Sequence, residues 1–419
     1  MSDLLQRVTA LAQAAKLAAR SVALAPTAIR DQALRAAAGA VRSQAAAILS
    51  ANAQDLATAQ AKGLAPALTD RLRLDASRLE AIALACEDVA KLPDPVGEVT
   101  EAWERPNGLK IIRRRVPIGL VAIIFESRPN VTVDAAALCL KSGNACILRG
   151  GSEALHTNLA LAQAFSAGLV AAGLPPAAVT LLPFTDREAV PALGSLRGIV
   201  DVIVPRGGPG LIEAVVNSAK VPVIKHDAGI CHIYVHAQAD LTMAEAIIVN
   251  AKCQRPSACN AAETLLVDTA VAAQFLPMVG RAMAAQQTEI RGCAQTRALI
   301  PTAHVASDQD WRTEHLALVL NVKVVTGLDE AVAHIEAHGS HHSDAIITAD
   351  EKAARSFLAQ IDSACVYWNA STRFTDGGEF GFGAEVGIST DRLHARGPMG
   401  IRELTTWKFE VVGNGQVRG

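Results

Sequence analysis

From Leu120 onward the chain repeats one pattern: a short apolar run, then a longer stretch with apolar positions three and four apart. LVAIIF precedes a helical stretch at 130–142, ACIL one at 153–172, and AVTLL and then VDVIV lead to another at 209–219. The pattern resumes after about residue 230 with CHIYV, ETLLV, VKVV, DAIIT and CVYW, spaced by helical stretches at 241–250, 269–286, 329–337 and 350–360. Strands apolar along their whole length suit a sheet covered on both faces, and strands joined by helices run parallel. The chain is therefore predicted to fold as two doubly wound α/β domains, which its 419 residues allow at about 150 residues per domain.

Before that repeat, residues 3–62 and 75–92 are Ala-rich with helical periodicity, punctuated by Pro26, Gly63 and Pro93. Between 99 and 115 the pattern turns to VTEAW, ERPNG and LKIIRRR, where Asn107-Gly108 is a strong hairpin signal. This predicts a β-hairpin arm. An exposed strand edge tends to be paired or covered, so the arm is expected to join the C-terminal strand Thr405–Val412 in an oligomerisation element.

Charge narrows the function classes. Lys and Arg total 39 against 41 Asp and Glu, spread along the chain, so no basic footprint points to nucleic acid or anionic lipid. The apolar stripe of the first 26 residues is broken by Lys and Arg, unlike a signal peptide, and no window has the length of a spanning helix. The eight cysteines lack the close pairs of zinc sites and the density of a secreted disulfide framework. These features predict a cytoplasmic protein with reduced thiols.

Three stretches carry chemistry. Lys141–Glu153 reads as a helix end, a strand and a Gly-rich turn into a further helix, the place where a doubly wound fold holds the adenosine end of a cofactor. Val204–Gly210 is a second strand-to-helix turn, where Gly207 and Gly208 would admit a pyrophosphate to backbone N–H groups. Asn250–Asn260 is a polar loop containing Pro256, with Cys253 and Cys259 beside Lys252 and Arg255; a nearby cation favours thiolate. Cys86, Cys139, Cys146 and Cys365 fall in apolar runs and read as core residues. His334 and His338, four apart on a helix, suggest a metal pair, but no carboxylate or thiol pattern completes a site.

The order Lys-x-Gly-Asn-Ala-x-x-Leu, a later Gly turn, and a Gln-containing loop ending in Cys resembles the aldehyde dehydrogenase superfamily. Within it, RRRVPIGLVAIIFESRPNVTVDAAALCLKSGNACILRGGSEA and AKCQRPSACNAAETLLV resemble the gamma-glutamyl phosphate reductase family, and VPVIKHDAGICHIYV and GSHHSDAIIT are similar too. The resemblance implies an aldehyde dehydrogenase-like fold and NADPH-dependent reduction of gamma-glutamyl phosphate to glutamate 5-semialdehyde, the second step of proline biosynthesis. It implies Cys259 as the nucleophile, with Cys253 the runner-up, and the Cys259 backbone N–H and the Asn260 side chain as oxyanion donors. It places Lys141, Arg149, Ser152, Gly207, Gly208 and Glu314 at the cofactor; a cation with a small hydroxyl suits the 2′-phosphate of NADP, and Glu153 works against it. Arg128, Arg255 and Arg373 are the candidates for the substrate's carboxylate and phosphoryl group. Where ordinary aldehyde dehydrogenases carry a water-activating Glu, this chain has Lys225-His226-Asp227, so a thioester would be spared hydrolysis unless His226 or Asp227 serves as a base.

The expected domains are an NADP-binding domain from 1–98 and 116–228 and a catalytic domain from 229–373. A Gly-rich return at 374–400 follows, and 99–115 with 401–419 form the oligomerisation element. A homo-oligomer, dimer or dimer of dimers, is expected, with no metal, and a transient contact with glutamate 5-kinase, whose product is labile. The rivals are an acylating dehydrogenase that releases coenzyme A and a non-catalytic subunit that keeps the fold for binding the kinase.

Overall fold

A computed structural model describes residues 3–126, 128–225 and 228–418, and the chain divides into two units. The first comprises Met1–Lys225, Gly381–Gly387 and Met399–Gly419; the second comprises His226–Phe380 and Ile388–Pro398.

In the first unit the Ala-rich stretch becomes helices Asp3–Leu24, Thr27–Ser43, Ala45–Ala61, Pro66–Leu72 and Ala76–Lys91. Small residues let these helices pack closely. A Cβ at Gly168, on the helix Leu155–Ala171, would run into the backbone of Ala37 on Thr27–Ser43. Pro26 and Gly63 punctuate the helices as expected, the break at Gln44 has no strong local signal, and a further short helix starts at Pro66, a residue suited to the first helical position.

The sheet of this unit is parallel, in the order Val179–Leu181, Ala145–Arg149, Leu120–Phe125, Val202–Arg206. All six residues of Leu120–Phe125 are buried, as a strand covered on both faces requires. Beside it, Val99–Glu104, Lys110–Pro117 and Thr405–Val412 form an antiparallel three-stranded sheet with Lys110–Pro117 in the centre. Gly108, at φ +85°, supplies the left-handed residue of the hairpin turn. Trp103, Trp407, Phe409 and Val411 stay exposed on this sheet.

The second unit is built on seven parallel strands in the order His304–Val305, Glu289–Gly292, Val319–Val325, Ala262–Asp268, Cys231–Val235, Ser343–Ile347, Cys365–Trp368. The five central and far-edge strands are the apolar runs seen in sequence. The two at the other edge are short, and their polar residues hide them. Between Cys231–Val235 and Ala262–Asp268 the register slips, since Cys231 faces Ala262 and His232 faces Thr264. Glu263 is the extra residue of this bulge, a feature that re-aims a side chain beside functional loops.

Candidate active site

Cys259 lies in the loop between the helix Leu241–Cys253 and the strand Ala262–Asp268. Two turns shape the loop, with Ala258 N–H donating to Arg255 O at 3.1 Å and Ala261 N–H to Ala258 O at 2.9 Å. Cys259 is half-buried. Beneath it the buried Cys231 thiol donates to its carbonyl at 3.3 Å, and burial pushes the Cys231 thiol well up, so it remains a protonated donor. Gly229 closes the other side: a Cβ there would collide with the Cys259 backbone.

Cys253, the alternative thiol, points elsewhere, 4.0 Å from Met283 Sδ and 3.4 Å from Thr288 Oγ1. It belongs to the apolar layer under the helix Thr269–Ala285.

Arg373 stands at the Cys259 loop. Its Nε donates to Gln254 Oε1 at 2.9 Å and its Nη1 to Asn260 Oδ1. Burial and the charge of Arg255 lower its pKa, while the Cys259 thiolate would raise it, so the Arg373 cation lies within electrostatic reach of the sulfur. Arg255 itself is exposed.

Asn260 corrects an expectation. Its amide group donates to Thr375 O at 2.9 Å and Arg373 O at 3.3 Å, and its carbonyl oxygen accepts from Arg373. Both N–H donors are thereby committed, so Asn260 ties the loop to the 371–375 segment instead of offering a donor to an oxyanion. Thr372 Oγ1 completes the tie by donating to Asn260 O at 2.7 Å.

Glu314 accepts a hydrogen bond from the Gly229 N–H, and burial raises its pKa. The neighbouring Leu316 sits at φ +54° and donates its N–H to Glu263 Oε1 at 3.3 Å. Glu263 also meets Lys252, Nζ to Oε2 at 2.7 Å, with both side chains fully buried. Lys252, read in the sequence as a cation near the thiols, is thus committed to Glu263; Glu263 itself did not stand out, because the bulge that turns it inward has no local signature.

In the first unit, Arg149 ends the strand Ala145–Arg149. It is buried, donates to Thr185 O at 2.7 Å, and leaves Nε without a protein partner. Asn158 Nδ2, buried against Gly150 of the same turn, is also without a partner. Ser152 is exposed at the head of the short helix Ser152–Ala154.

Gly207 and Gly208 lead into the helix Pro209–Ser218, and the Gly208 N–H donates to Glu126 Oε2 at 3.0 Å. A carboxylate thus stands where the helix N-terminus favours an anion. Sequence reasoning missed Glu126, although it immediately follows an apolar strand. Arg128 is half-buried two residues on.

Lys141 corrects a second expectation. It is 1% exposed, with Nζ 2.6 Å from Asp31 Oδ1 and 2.9 Å from Ala90 O. Every bond it makes fastens the helical layer, so its ammonium is not available to a cofactor. Asn144 of the same motif is structural too, accepting from Gly119 N–H at 2.8 Å and donating to Leu404 O at 2.8 Å.

His226 and Asp227, the alternative bases, lie outside the described residues. The His334 and His338 rings lie tilted against each other at 4.5 Å between centroids, and His232 and Trp311 meet His334 edge-on. Among the described residues no group of three His, Cys, Asp or Glu is arranged for a metal ion, and no helix is long and apolar enough to cross a membrane.

A model of the aldehyde dehydrogenase family matches residues 5–300 of this chain. The gamma-glutamyl phosphate reductase of Moorella thermoacetica is 54% identical over 406 residues, 97% of either chain. That of Paramagnetospirillum magneticum is 52% identical over 417 residues, covering 100% of this chain and 99% of the other. The crystal structure of the Thermotoga maritima gamma-glutamyl phosphate reductase superimposes with a TM-score of 0.97 at 45% identity, covering 98% of this chain and 100% of that one.

Proposed function

Because the chain belongs to the aldehyde dehydrogenase family and, within it, to the gamma-glutamyl phosphate reductases, oxidoreductases that reduce glutamyl phosphate in proline biosynthesis, we propose that it works with NADPH through a thioacyl intermediate on Cys259. The observation that carries the reading is the setting of that sulfur: half-buried, on a pinned loop, within electrostatic reach of Arg373. A nearby cation stabilises a thiolate. The thiolate attacks the acyl phosphate carbon, and the electron pair of the breaking C–O bond leaves with phosphate. Arg373, Arg255 and Arg128 are the cations proposed for the departing phosphate and the substrate carboxylate. The oxyanion of each tetrahedral stage is met by the Cys259 N–H.

The nicotinamide, when bound, supplies the hydride that converts the thioester to a hemithioacetal, from which the aldehyde is released. Arg149 Nε and Asn158 Nδ2, buried donors without protein partners, support a phosphate-bearing adenosine end at the Gly150–Ser152 turn. The Gly208 N–H would exchange Glu126 for pyrophosphate, and Glu314 would hold the nicotinamide ribose.

The exposed Trp407, Phe409 and Val411 support assembly of the enzyme as a homo-oligomer through the three-stranded sheet. All eight cysteines are free thiols, the state a cytoplasm maintains.

The test runs the reaction backwards. NADP reduction is followed with glutamate semialdehyde, with and without phosphate, for wild type and Cys259→Ala. Phosphate-dependent turnover abolished by the substitution is expected. Turnover indifferent to phosphate, or activity surviving in the variant, would refute the reading.

A further inference from the structure

The loop that carries Cys259 is flanked by Lys252, in the last turn of the helix before it, and Glu263, the second residue of the strand after it, and these two residues form a fully buried ion pair. A buried ion pair is a poor way to gain stability, because desolvating two charges offsets much of their attraction and a well-packed apolar pair often does as well. Here the pair sits where position matters.

Glu263 faces inward because of the register slip between Cys231 and His232. One carboxylate oxygen takes Lys252 in the helix before the loop, and the other takes the Leu316 N–H. Leu316 is two residues from Glu314, which accepts the Gly229 N–H, and Gly229 packs on the Cys259 backbone. The chain of contacts closes on itself: Lys252, Glu263, Leu316, Glu314, Gly229, Cys259. From it we infer that the Lys252–Glu263 pair is a positioning device, holding the nucleophile loop and the Glu314 turn in one geometry.

The inference rests on the reading of Cys259 as nucleophile and Glu314 as a cofactor ligand. Neither Lys252 nor Glu263 touches reacting atoms; they act through the residues they hold. Burial pushes the Glu263 carboxyl up, while Lys252 and the Leu316 N–H hold it down.

Three variants test it. Glu263→Asp keeps the charges balanced but is one methylene too short to reach Lys252 and Leu316 together. Lys252→Met/Glu263→Leu replaces the pair with apolar side chains of similar volume. Lys252→Arg keeps the cation.

The readouts are the melting temperature, the alkylation rate of Cys259 by iodoacetamide followed on its own peptide by mass spectrometry, the NADPH Kd by fluorescence, and kcat and KM separately. In the Asp and apolar variants, melting is expected to stay near wild type. Cys259 alkylation should change about tenfold, NADPH Kd rise about tenfold, and kcat fall about 100-fold with a smaller change in KM, the scale of a 1 Å misplacement. Lys252→Arg should remain within about threefold of wild type throughout.

If either folded variant keeps both Cys259 alkylation and NADPH Kd at wild-type values, the pair merely fills space and the inference falls. It falls equally if both fail to fold while Lys252→Arg folds, since the pair is then a stability element. Cys259→Ala separates the two levels: turnover surviving there sinks the nucleophile reading, whereas alkylation and NADPH binding report on the pair without any turnover.

Discussion

Adding one methyl group at Gly229 tests how tightly the Cys259 loop is held. In Gly229→Ala the new Cβ would lie 2.6 Å from the Cys259 carbonyl carbon and 2.7 Å from its Cα. Carbon atoms rest at about 3.5–4.0 Å, so the loop or the 228–230 segment must retreat by about 1 Å. The retreat strains the Gly229 N–H bond to Glu314 and the tie from the Cys231 thiol to the Cys259 carbonyl. A misplacement of that size costs about 100-fold in rate, or ~2.7 kcal/mol of barrier. Overpacking is expected to cost about 1–3 kcal/mol in stability. The assay is kcat for phosphate-dependent NADP reduction with the semialdehyde, alongside a urea melt. A variant that loses the stability but keeps kcat within about threefold would show that the Gly229 contact packs the loop without setting the nucleophile, refuting the reasoning.

Arg149→Ser should raise the NADPH Kd by tenfold or more, about 1.4 kcal/mol, while leaving NADH binding nearly unchanged; a fluorescence titration with both cofactors decides it. Lys141→Met should leave NADPH binding unaltered yet cost about 3 kcal/mol in stability by stranding the Asp31 carboxylate, which urea denaturation measures. Acid should act through His334, whose burial beside His232 and Lys323 lowers its pKa to about 2. The folded state thus keeps this ring neutral while the unfolded chain titrates near the ordinary value, so the unfolded state binds the extra proton and stability falls as pH drops below about 6.5. In His334→Gln that part of the acid slope should disappear from melts taken between pH 7 and pH 4.

Sequence legibility followed the physics of each element. Runs such as Leu120–Phe125 were readable because a strand buried on both faces must be apolar throughout. The hairpin was readable because Asn107-Gly108 meets the local backbone demand of a tight turn. Glu289–Gly292 and His304–Val305 were not, since they are only four and two residues long and carry Glu, Arg and His where the central strands are apolar. At the site, the Cys259 loop carried its own signal of polar residues, a proline and a thiol. Lys141 and Asn260 misled for a common reason: a motif preserves residue types without saying whether a polar atom faces a ligand or a carbonyl inside the protein. The Glu263 bulge and the Gly229 contact arise from register and close approach, which only three dimensions display.

The small antiparallel sheet carries a consequence for the order of folding. Its central strand, Lys110–Pro117, meets Val99–Glu104 through a local turn, but its other neighbour, Thr405–Val412, arrives nearly at the end of the chain. On a ribosome, the hairpin emerges early and stands with one edge unpaired while almost all of the remaining protein is made. Closing so long a loop is slow, and an open edge next to exposed aromatics invites pairing with another nascent chain. Charged residues on such an edge disfavour pairing with another chain, and the central strand carries Arg113, Arg114 and Arg115; Arg113 and Arg115 pair with Glu101 and Glu98 of the hairpin side, whereas Arg114 gains its partner, Glu410, only once the last strand docks.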